Sequence, residues 1–531
     1  ATAMRQVLEQ QPRLHIKQGT VAALELDGTR VCGVTTQSGL HLRADAVVLT
    51  AGTFLDAVLH TGMTQESGGR AGDGPSVGLG GQLRALGVRT LRHKTGTCPR
   101  LDARTVDWQR LEADPGLVPP PPMSARSPGV SLPQMPCHIA YTNAETHAHI
   151  LQGLDRSPLF SGIIEGTGPR YCPSIEDKVV RFGHHDRHYL FLEREGWSTG
   201  EVYVSGLSTS LPADVQLRVV RSIVGLEHAE IVRFGYAVEY DAIDARQLHR
   251  DLSLPAVRGL YLAGQVNGTS GYEEAAAQGL IAGLNAARHV RGEDPVVFPR
   301  QDSYLGVLVD DLVTQGNAEP YRMFTARAEH RLQLRCTNAD LRLTPQGRAL
   351  GLVDDSQWQS FEARSQRLEQ GRRALQDTVV RPSREELPRI EALGQGSLTA
   401  PSTLAQLLCR SGVTWAQLAA WLPVELREGS GLDERDITEL TTEVRYAGYV
   451  RREQARQART ARYDDWVIPR GFDFAALAGL SREVREKWHA AQPETLGQAA
   501  RVAGVTPAAV QVLAFALRGQ QRVAAADAGV Q

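Results

Sequence analysis

The sequence predicts an α/β protein: an incomplete, Rossmann-like dinucleotide-binding domain, interrupted by an inserted α/β domain and followed by an all-helical C-terminal region. Three observations predict it. The run AVVLTAG (46–52) is a short continuous apolar strand closed by glycine, the pattern of a strand buried on both faces. The run RGLYLAG (258–264) repeats that pattern and passes through a loop into the alanine-rich helix EEAAAQGLIAGLNAARHV (273–290). Beyond about residue 340, strand signals fade and helical periodicity dominates.

The elements follow in order. The opening AMRQVLEQQP (3–12) reads as an amphipathic helix already in progress, as though the chain starts inside a domain. Alternating apolar and polar residues over 14–28, 29–39 and 40–45, bounded by Asp-Gly and Ser-Gly turns, predict antiparallel strands before the buried strand. Residues 62–81 are glycine-rich and read as loop, with a helix at QLRALG (82–87). The proline-dense stretch 113–136 predicts an exposed, extended excursion, and 140–255 a mixed α/β region. The charged stretch 383–396 reads as a linker. Near the end, helix starts come in series: Ser481 as a cap, Thr495 with Gln498 as a capping box, and Thr506 before Pro507.

Composition narrows the class. Hydrophobic residues make up 42% and charged residues 22%, ordinary for a soluble protein. The net charge of −2 means that any nucleic-acid surface has to be a local patch. The six cysteines contain no C-x-x-C pair, which argues against zinc, iron–sulfur or a disulfide framework and for a reducing, cytoplasmic setting. No apolar run approaches the roughly 20 residues that a membrane helix needs. The HHDRH run (184–188) fits no zinc spacing and reads as a solvated loop, so no metal site is expected.

The chemistry-bearing pattern is the strand–loop–helix unit at 259–287. Gly264, Gln265, Asn267 and Gly268 lie where open α/β sheets bind ligands, outside the carboxyl end of a strand and before a helix N-terminus. A flavin site and an ordinary tight βα turn both fit. The ADAVVLTAG strand (44–52) matches the strand that closes many two-domain flavoproteins and strengthens the first reading.

Several blocks then resemble one family closely. SGGRAGDGPS (67–76), KTGTCPRLDARTVD (94–107), DRSPLFSGIIEGTGPRYCPSIEDKVVRF (155–182), STSLPADVQ (208–216), GYAVEYD (235–241), LAGQVNGTSGYEEAAAQGLIAGLNAA (262–287) and EPYRMFTARAEHRLQLR (319–335) are similar to signature segments of the MnmG (GidA) family. The likeness continues to the end of the chain. One departure stands out: that family opens with a G-x-G-x-x-G fingerprint, and none precedes AVVLTAG here. Gly72, Gly74 and Gly78 read as loop glycines.

The resemblance implies an incomplete FAD-binding Rossmann-like domain, with an expected weak hold on the flavin pyrophosphate. It divides the chain into an FAD-binding first part (1–97), an inserted nicotinamide-binding domain (98–230), an FAD-binding second part (231–295), a helical region (296–440) and a helical partner- and tRNA-binding module (441–531). It implies modification of C5 of the tRNA wobble uridine, by a carboxymethylaminomethyl or aminomethyl group, together with the GTPase MnmE. FAD, NADH as reductant and methylene-tetrahydrofolate as one-carbon donor are the implied cofactors, and a homodimer within a heterotetramer the implied assembly. FAD contacts carry over to Val21, Ser76, Gly264, Gln265 and Asn267. The nicotinamide segment carries over to Gly168, Pro169, Arg170, Tyr171, Cys172, Pro173, Ser174, Ile175, Glu176, Asp177, Lys178, Val179, Val180, Arg181 and Phe182.

Residue chemistry is consistent with that segment. Arg170, Lys178 and Arg181 suit phosphate oxygens. Cys172, beside Arg170, is the candidate nucleophile toward C6 of uracil, against the plainer reading of a buried packing residue. Glu176 and Asp177 offer an acid or base, but read first as solvated ion-pair partners, and Cys98 as a packing residue. For RNA, Arg327, Arg331 and Arg335 recur every four residues and would line one helical face; Arg451 and Arg452 sit among further arginines around Tyr446 and Tyr449. An ordinary solvated helix with internal ion pairs explains them equally. Two other functions compete: a flavin-poor interaction subunit without turnover, and the folate- and FAD-dependent tRNA uridine methyltransferase, a shorter protein without the helical tail. Exposed short helices with apolar faces near the end of the chain suit a docking module. Removing the residues after Pro469 is therefore expected to abolish co-purification with the GTPase while the rest stays folded; undiminished co-purification would count against the tail as the docking element.

Overall fold

The computed structural model describes residues 2–124, 126–127, 129–170, 173–316, 318–394, 398–427, 431–464, 466–469, 471–502 and 504–528, with helix positions alone for 456–464 and 519–528. The chain forms two units, Ala1–Val296 with Gly316–Arg322, and Val297–Gln315 with Met323–Gln531.

The first unit opens with helix α1 (Thr2–Gln10), which exposes Met4, Val7 and Leu8. Strands β1 (Val21–Asp27), β2 (Arg30–Thr36) and β3 (His41–Arg43) form an antiparallel meander, as the alternation requires. Strand β4 (Val47–Leu49) follows. The glycine-rich stretch is more ordered than expected, because β5 (Val58–Thr61) and β6 (Thr64–Ser67) pair as a hairpin around Gly62. Gly62 has φ 57, and a Cβ there would lie 2.8 Å from Pro212, so both the turn and the contact require glycine. Helix α2 (Leu79–Ala85) and strand β7 (Thr90–Thr97) complete this stretch.

An inserted layer is built from β8 (Arg100–Asp102), β9 (Glu112–Asp114), β10 (Cys137–Tyr141), α3 (Ala144–Gln152), α4 (Ile175–Arg181), β11 (Tyr189–Arg194), β12 (Glu201–Ser205), α5 (Ala213–Arg221) and β13 (Ile231–Arg233). Its six strands run in the order β13-β8-β12-β11-β10-β9, all antiparallel. Leu190, Leu192, Val202 and Val204 point from β11 and β12 into one core with Ile150, Ile175 and Val215 of the helices. Strand β14 (Tyr236–Ile243) then returns between β5 and β7 in a four-stranded sheet, β6-β5-β14-β7. Strand β15 (Leu260–Leu262) pairs in parallel with β4 and leads to helix α6 (Tyr272–Arg291), closed by Gly292 in the left-handed region. Strand β15 is fully buried, whereas β4 is only half-buried, although each has the other as its partner in a two-stranded sheet. The expectation of burial on both faces fails for β4.

The second unit is helical: α7 (Tyr304–Gln315), α8 (Ala339–Ala349), α9 (Asp355–Asp377), α10 (Leu387–Glu391), α11 (Leu404–Leu408), α12 (Trp415–Leu418), α13 (Glu434–Asp464), α14 (Arg482–Ala491), α15 (Leu496–Arg501) and α16 (Pro507–Ala528). Helix α13 is continuous through residues 440 and 441. Helix α10 interrupts the stretch read as a linker. Among the described residues, no helix is long and apolar enough to cross a membrane. Asp310, fully buried on α7, is held by Arg300 at 3.1 Å and Arg501 at 2.9 Å.

The three expected helix starts form. Ser481 accepts from the Val484 N–H, Thr495 and Gln498 cap each other's backbone, and Thr506 accepts from the Ala509 N–H ahead of Pro507. They frame a separate core around the fully buried Trp488, whose indole N–H donates to the Ala499 carbonyl at 2.8 Å. Trp488→Ala leaves a cavity and an unpaired carbonyl. It should destabilise this core by about 3–5 kcal/mol, read as an earlier urea transition.

Candidate active site

The parallel β4–β15 pair positions the site. Its register, Leu260↔Val47 to Leu262↔Leu49, brings the ends of both strands level, and the Ala263 N–H donates to the Leu49 carbonyl at 3.0 Å. Gly52 (φ 57) and Gly264 (φ 86) then turn the chain at neighbouring points. A Cβ on Gly52 would lie 3.6 Å from the Gln265 side-chain oxygen, an ordinary contact, so it is the positive φ and not crowding that favours glycine here. The loop itself is a 3₁₀ turn, Gly264–Asn267.

That turn is held from behind by a residue the sequence reading passed over. Gln278, fully buried on α6, accepts from the Gly264 N–H (3.2 Å) and the Asn267 amide (2.9 Å), and donates to Thr269 Oγ1 (3.0 Å). Asn267 also donates to the Leu262 carbonyl, so its amide shapes the loop from inside. The available signal was the one large polar side chain within an alanine run, at a position that faces the strand. Val21 and Ser76, two other expected cofactor contacts, meet directly: Ser76 Oγ donates to the Val21 carbonyl at 3.4 Å. Ser76 also bridges Leu55, three residues past Gly52.

The second half of the site hangs from β14. Glu239 is buried, and its carboxylate accepts from the Gly166 N–H (2.7 Å), the Glu165 N–H (3.1 Å) and His60 Nε2 (3.3 Å). Burial alone would raise its pKa; the hydrogen bonds from His60 and Gly166 instead hold it below the ordinary range. Thr167 adds beside β7, exchanging backbone bonds with Arg92 and Lys94. Gly166 is packed so closely that a Cβ would meet the His93 backbone at 2.9 Å, and one on Gly168 would meet Lys94 Cε at 2.6 Å. These contacts aim the chain toward residues 171 and 172. Tyr171 and Cys172 themselves lie outside the described residues.

Past them, Ser174 caps α4 by accepting from the Asp177 N–H. Ile175 and Val179 anchor α4 in the inserted core, Pro169 is buried, and Val180 and Phe182 are exposed. The expected phosphate ligands take separate partners: Arg170 pairs with Glu319 at 3.0 Å, Arg181 with Asp177 at 3.6 Å, and Lys178 donates to the Gly206 carbonyl. Glu176 corrects the sequence reading. It is fully buried, accepts from Thr209 Oγ1 (2.9 Å) and the Ser210 N–H (3.1 Å), and burial pushes its pKa up. It is a solvated ion-pair partner in no sense, because its place on α4 faces the core that Ile175 and Val179 also enter. Cys98 is buried, as a packing residue would be.

The arginine series in the second unit is also arranged differently from expectation. Arg327 ends a 3₁₀ turn and Arg331 lies in a turn, while Arg335 is extended ahead of another 3₁₀ turn, so no single helical face carries them. Arg327 pairs with Asp311 and Arg335 with Glu439, and Arg331 is exposed. On α13, Arg451 and Arg452 are exposed, and the Arg452 guanidinium lies 4.8 Å from the centre of the Tyr449 ring.

His93 faces Tyr240 across β7 and β14, and neither ring nitrogen has a hydrogen-bond partner among the described residues. Burial pushes its pKa down to about 4, so the folded protein keeps it neutral while the unfolded chain protonates it near 6.5. Its contribution is complete above about pH 6.5 and is lost as pH falls toward 4, by about 3 kcal/mol in all. His93→Phe should therefore flatten the acid side of a melting-temperature profile measured from pH 7.5 to 4.5; parallel profiles would refute the assignment.

Comparison with known proteins agrees with this geometry. The family model described as "Glucose inhibited division protein A" matches residues 1–294, and those for the MnmG/GidA C-terminal helical domain and helical bundle match 355–454 and 456–530. The chain is 48% identical over 515 residues to a Pelobacter propionicus protein named tRNA uridine 5-carboxymethylaminomethyl modification enzyme MnmG, covering 97% of this chain and 81% of that protein. It is 49% identical over 518 residues to the Geobacter sulfurreducens protein of the same name, covering 97% and 82%. The crystal structure of Aquifex aeolicus GidA (form II) superposes with a TM-score of 0.84 at 37% identity, covering 97% of this chain and 82% of that one. The chain belongs to the MnmG/GidA family.

Proposed function

We propose that this chain modifies C5 of the wobble uridine in tRNA, adding a carboxymethylaminomethyl or aminomethyl group with FAD as cofactor. The convergence of Gly52, Gly264 and Gln265 at the ends of a parallel strand pair carries the reading, because ligands of open α/β sheets bind outside the carboxyl ends of the strands, where these two glycine turns lie. The residues fit a flavin's ring end. Tyr240 is buried with no hydrogen-bond partner for its hydroxyl among the described residues, and the two positive-φ glycines make turns that other residues rarely adopt. Gln265 and Gly264 would hold the ring edge, with Val21 and Ser76 at the meander side and Asn267 fixing the loop. FAD when bound supplies redox equivalents, with NADH as the reductant and methylene-tetrahydrofolate as the one-carbon donor.

The chain's own part is to position and activate the base. Cys172 is the nucleophile of the proposal: its thiolate adds to C6 of uracil, which makes C5 electron-rich toward the one-carbon unit, and it leaves when the C5 proton is lost. Lys94, buried beside Gly168, and Arg170 supply positive charge on the approach to that segment. The segment from Gly168 to Phe182 is the proposed nicotinamide site, with Arg170, Lys178 and Arg181 as its polar members. Arg331, Arg451 and Arg452 are exposed for RNA; a homodimer and a heterotetramer with the GTPase MnmE belong to the same reading, as does a cytoplasmic location.

The experiment has two readouts. The purified chain should be yellow or become so with added FAD, and with the GTPase, NADH and methylene-tetrahydrofolate it should produce the modified nucleoside in digested tRNA. Cys172→Ser should lower that yield by at least about 100-fold while leaving the flavin spectrum unchanged. Wild-type yield in the variant would remove Cys172 from the chemistry, and a colourless, inactive wild type would remove the function.

A further inference from the structure

Helices α8, α9 and α13 of the second unit, with the segment before α8, border an open pocket of about 680 Å³, within the roughly 300–1,000 Å³ range of small-molecule sites. Four guanidinium groups line it: Arg335, Arg342, Arg372 and Arg451. Two are neutralised. Arg335 pairs with Glu439, and Arg372 makes a two-pronged contact with Glu443 at 2.7 and 2.8 Å. The other two are not. Arg342 donates to Asn338 Oδ1 (3.0 Å), to the Arg335 carbonyl (3.3 Å) and to the Asp302 carbonyl, all neutral acceptors. Among the described residues, Arg451 donates to the Ala447 carbonyl of its own helix alone, at 3.4 Å. Neither has a carboxylate within 4.0 Å among the described residues. Burial, and then the neighbouring Arg335, hold the Arg342 guanidinium below its ordinary value, the condition that a bound anion relieves.

Leu341, Ala447 and Val450 supply apolar surface, and Gln333, Asn338 and Gln454 supply polar amides. A pocket that joins two guanidiniums without a carboxylate contact to aliphatic surface matches a nucleotide: phosphate on the arginines, sugar or base on the aliphatic residues. We propose that this cavity binds the phosphate of a single nucleotide, through Arg342 and Arg451, and that the nucleotide belongs to the tRNA. The second half of the proposal rests on the tRNA function above. It brings in Arg342, absent from the arginine series that the sequence singles out, and joins it to Arg451.

The test uses the full chain, labelled tRNA titrated across salt concentrations, and uridine monophosphate followed by thermal shift. Arg342→Gln and Arg451→Gln should each weaken tRNA binding roughly 10-fold near 0.1 M salt and each lower the salt-dependence slope by about one. Among the described residues, the Arg451 side chain bonds only to its own helix, so that variant keeps the proposal testable if Arg342→Gln does not fold. Loss of the uridine monophosphate shift in Arg451→Gln, with tRNA binding unchanged, would assign the site to a free nucleotide and overturn the RNA half. A wild type that takes uridine monophosphate through Arg451 but binds no tRNA would overturn the proposed function and leave the phosphate site standing. Equal affinities and slopes in all variants for both ligands, or lost GTPase binding alone, would overturn the site.

Discussion

A carboxylate removed from water has to be satisfied by protein, and Glu239 imposes that condition on the whole first unit. It sits on the central strand of its sheet, and the groups that satisfy it come from His60 on β5 and from the backbone of Glu165 and Gly166. Two pieces of chain separated by about a hundred residues are thereby fixed to one point. The glycine at 166 is a consequence, because a Cβ there would strike the His93 backbone, whereas one at 168 would meet only the flexible end of Lys94. This anchor fixes residues 165–168 against β14 and β7, while the β4–β15 ladder fixes the Gly52 and Gly264 turns. The two constraints differ in kind, one ionic and one of backbone pairing.

Much of this was legible in the sequence, for identifiable reasons. The antiparallel meander follows from period-two alternation, and the β15-to-α6 unit from an apolar strand, a glycine turn and an alanine-rich helix. The late helix starts were legible because capping is local: a hydroxyl three residues before a free N–H needs no knowledge of the fold. Val21 and Ser76 were placed through family likeness alone, and the structure brings them into contact.

What stayed hidden depends on long-range contacts. Glu176 looks solvent-bound beside Asp177, and only the fold reveals that Thr209 and Ser210 enclose it. Gln278 looks like one more polar residue in a soluble helix until the Gly264 and Asn267 groups it serves are known. The every-four-residue spacing of Arg327, Arg331 and Arg335 mimics a helical stripe, but backbone turns there break the period. The hairpin at 58–67 was masked by its glycines, which read as loop although one of them makes the turn.

The buried ionic knot of the second unit has a bearing on how the chain is made. Asp310 is fully buried, yet Arg501, one of the cations that hold it, lies 191 residues further along. On a ribosome adding about 5–20 residues per second, that interval lasts roughly ten to forty seconds. Through that time Asp310 has Arg300 but lacks Arg501, so a carboxylate that the finished protein buries between two cations stays half-compensated until α15 is made.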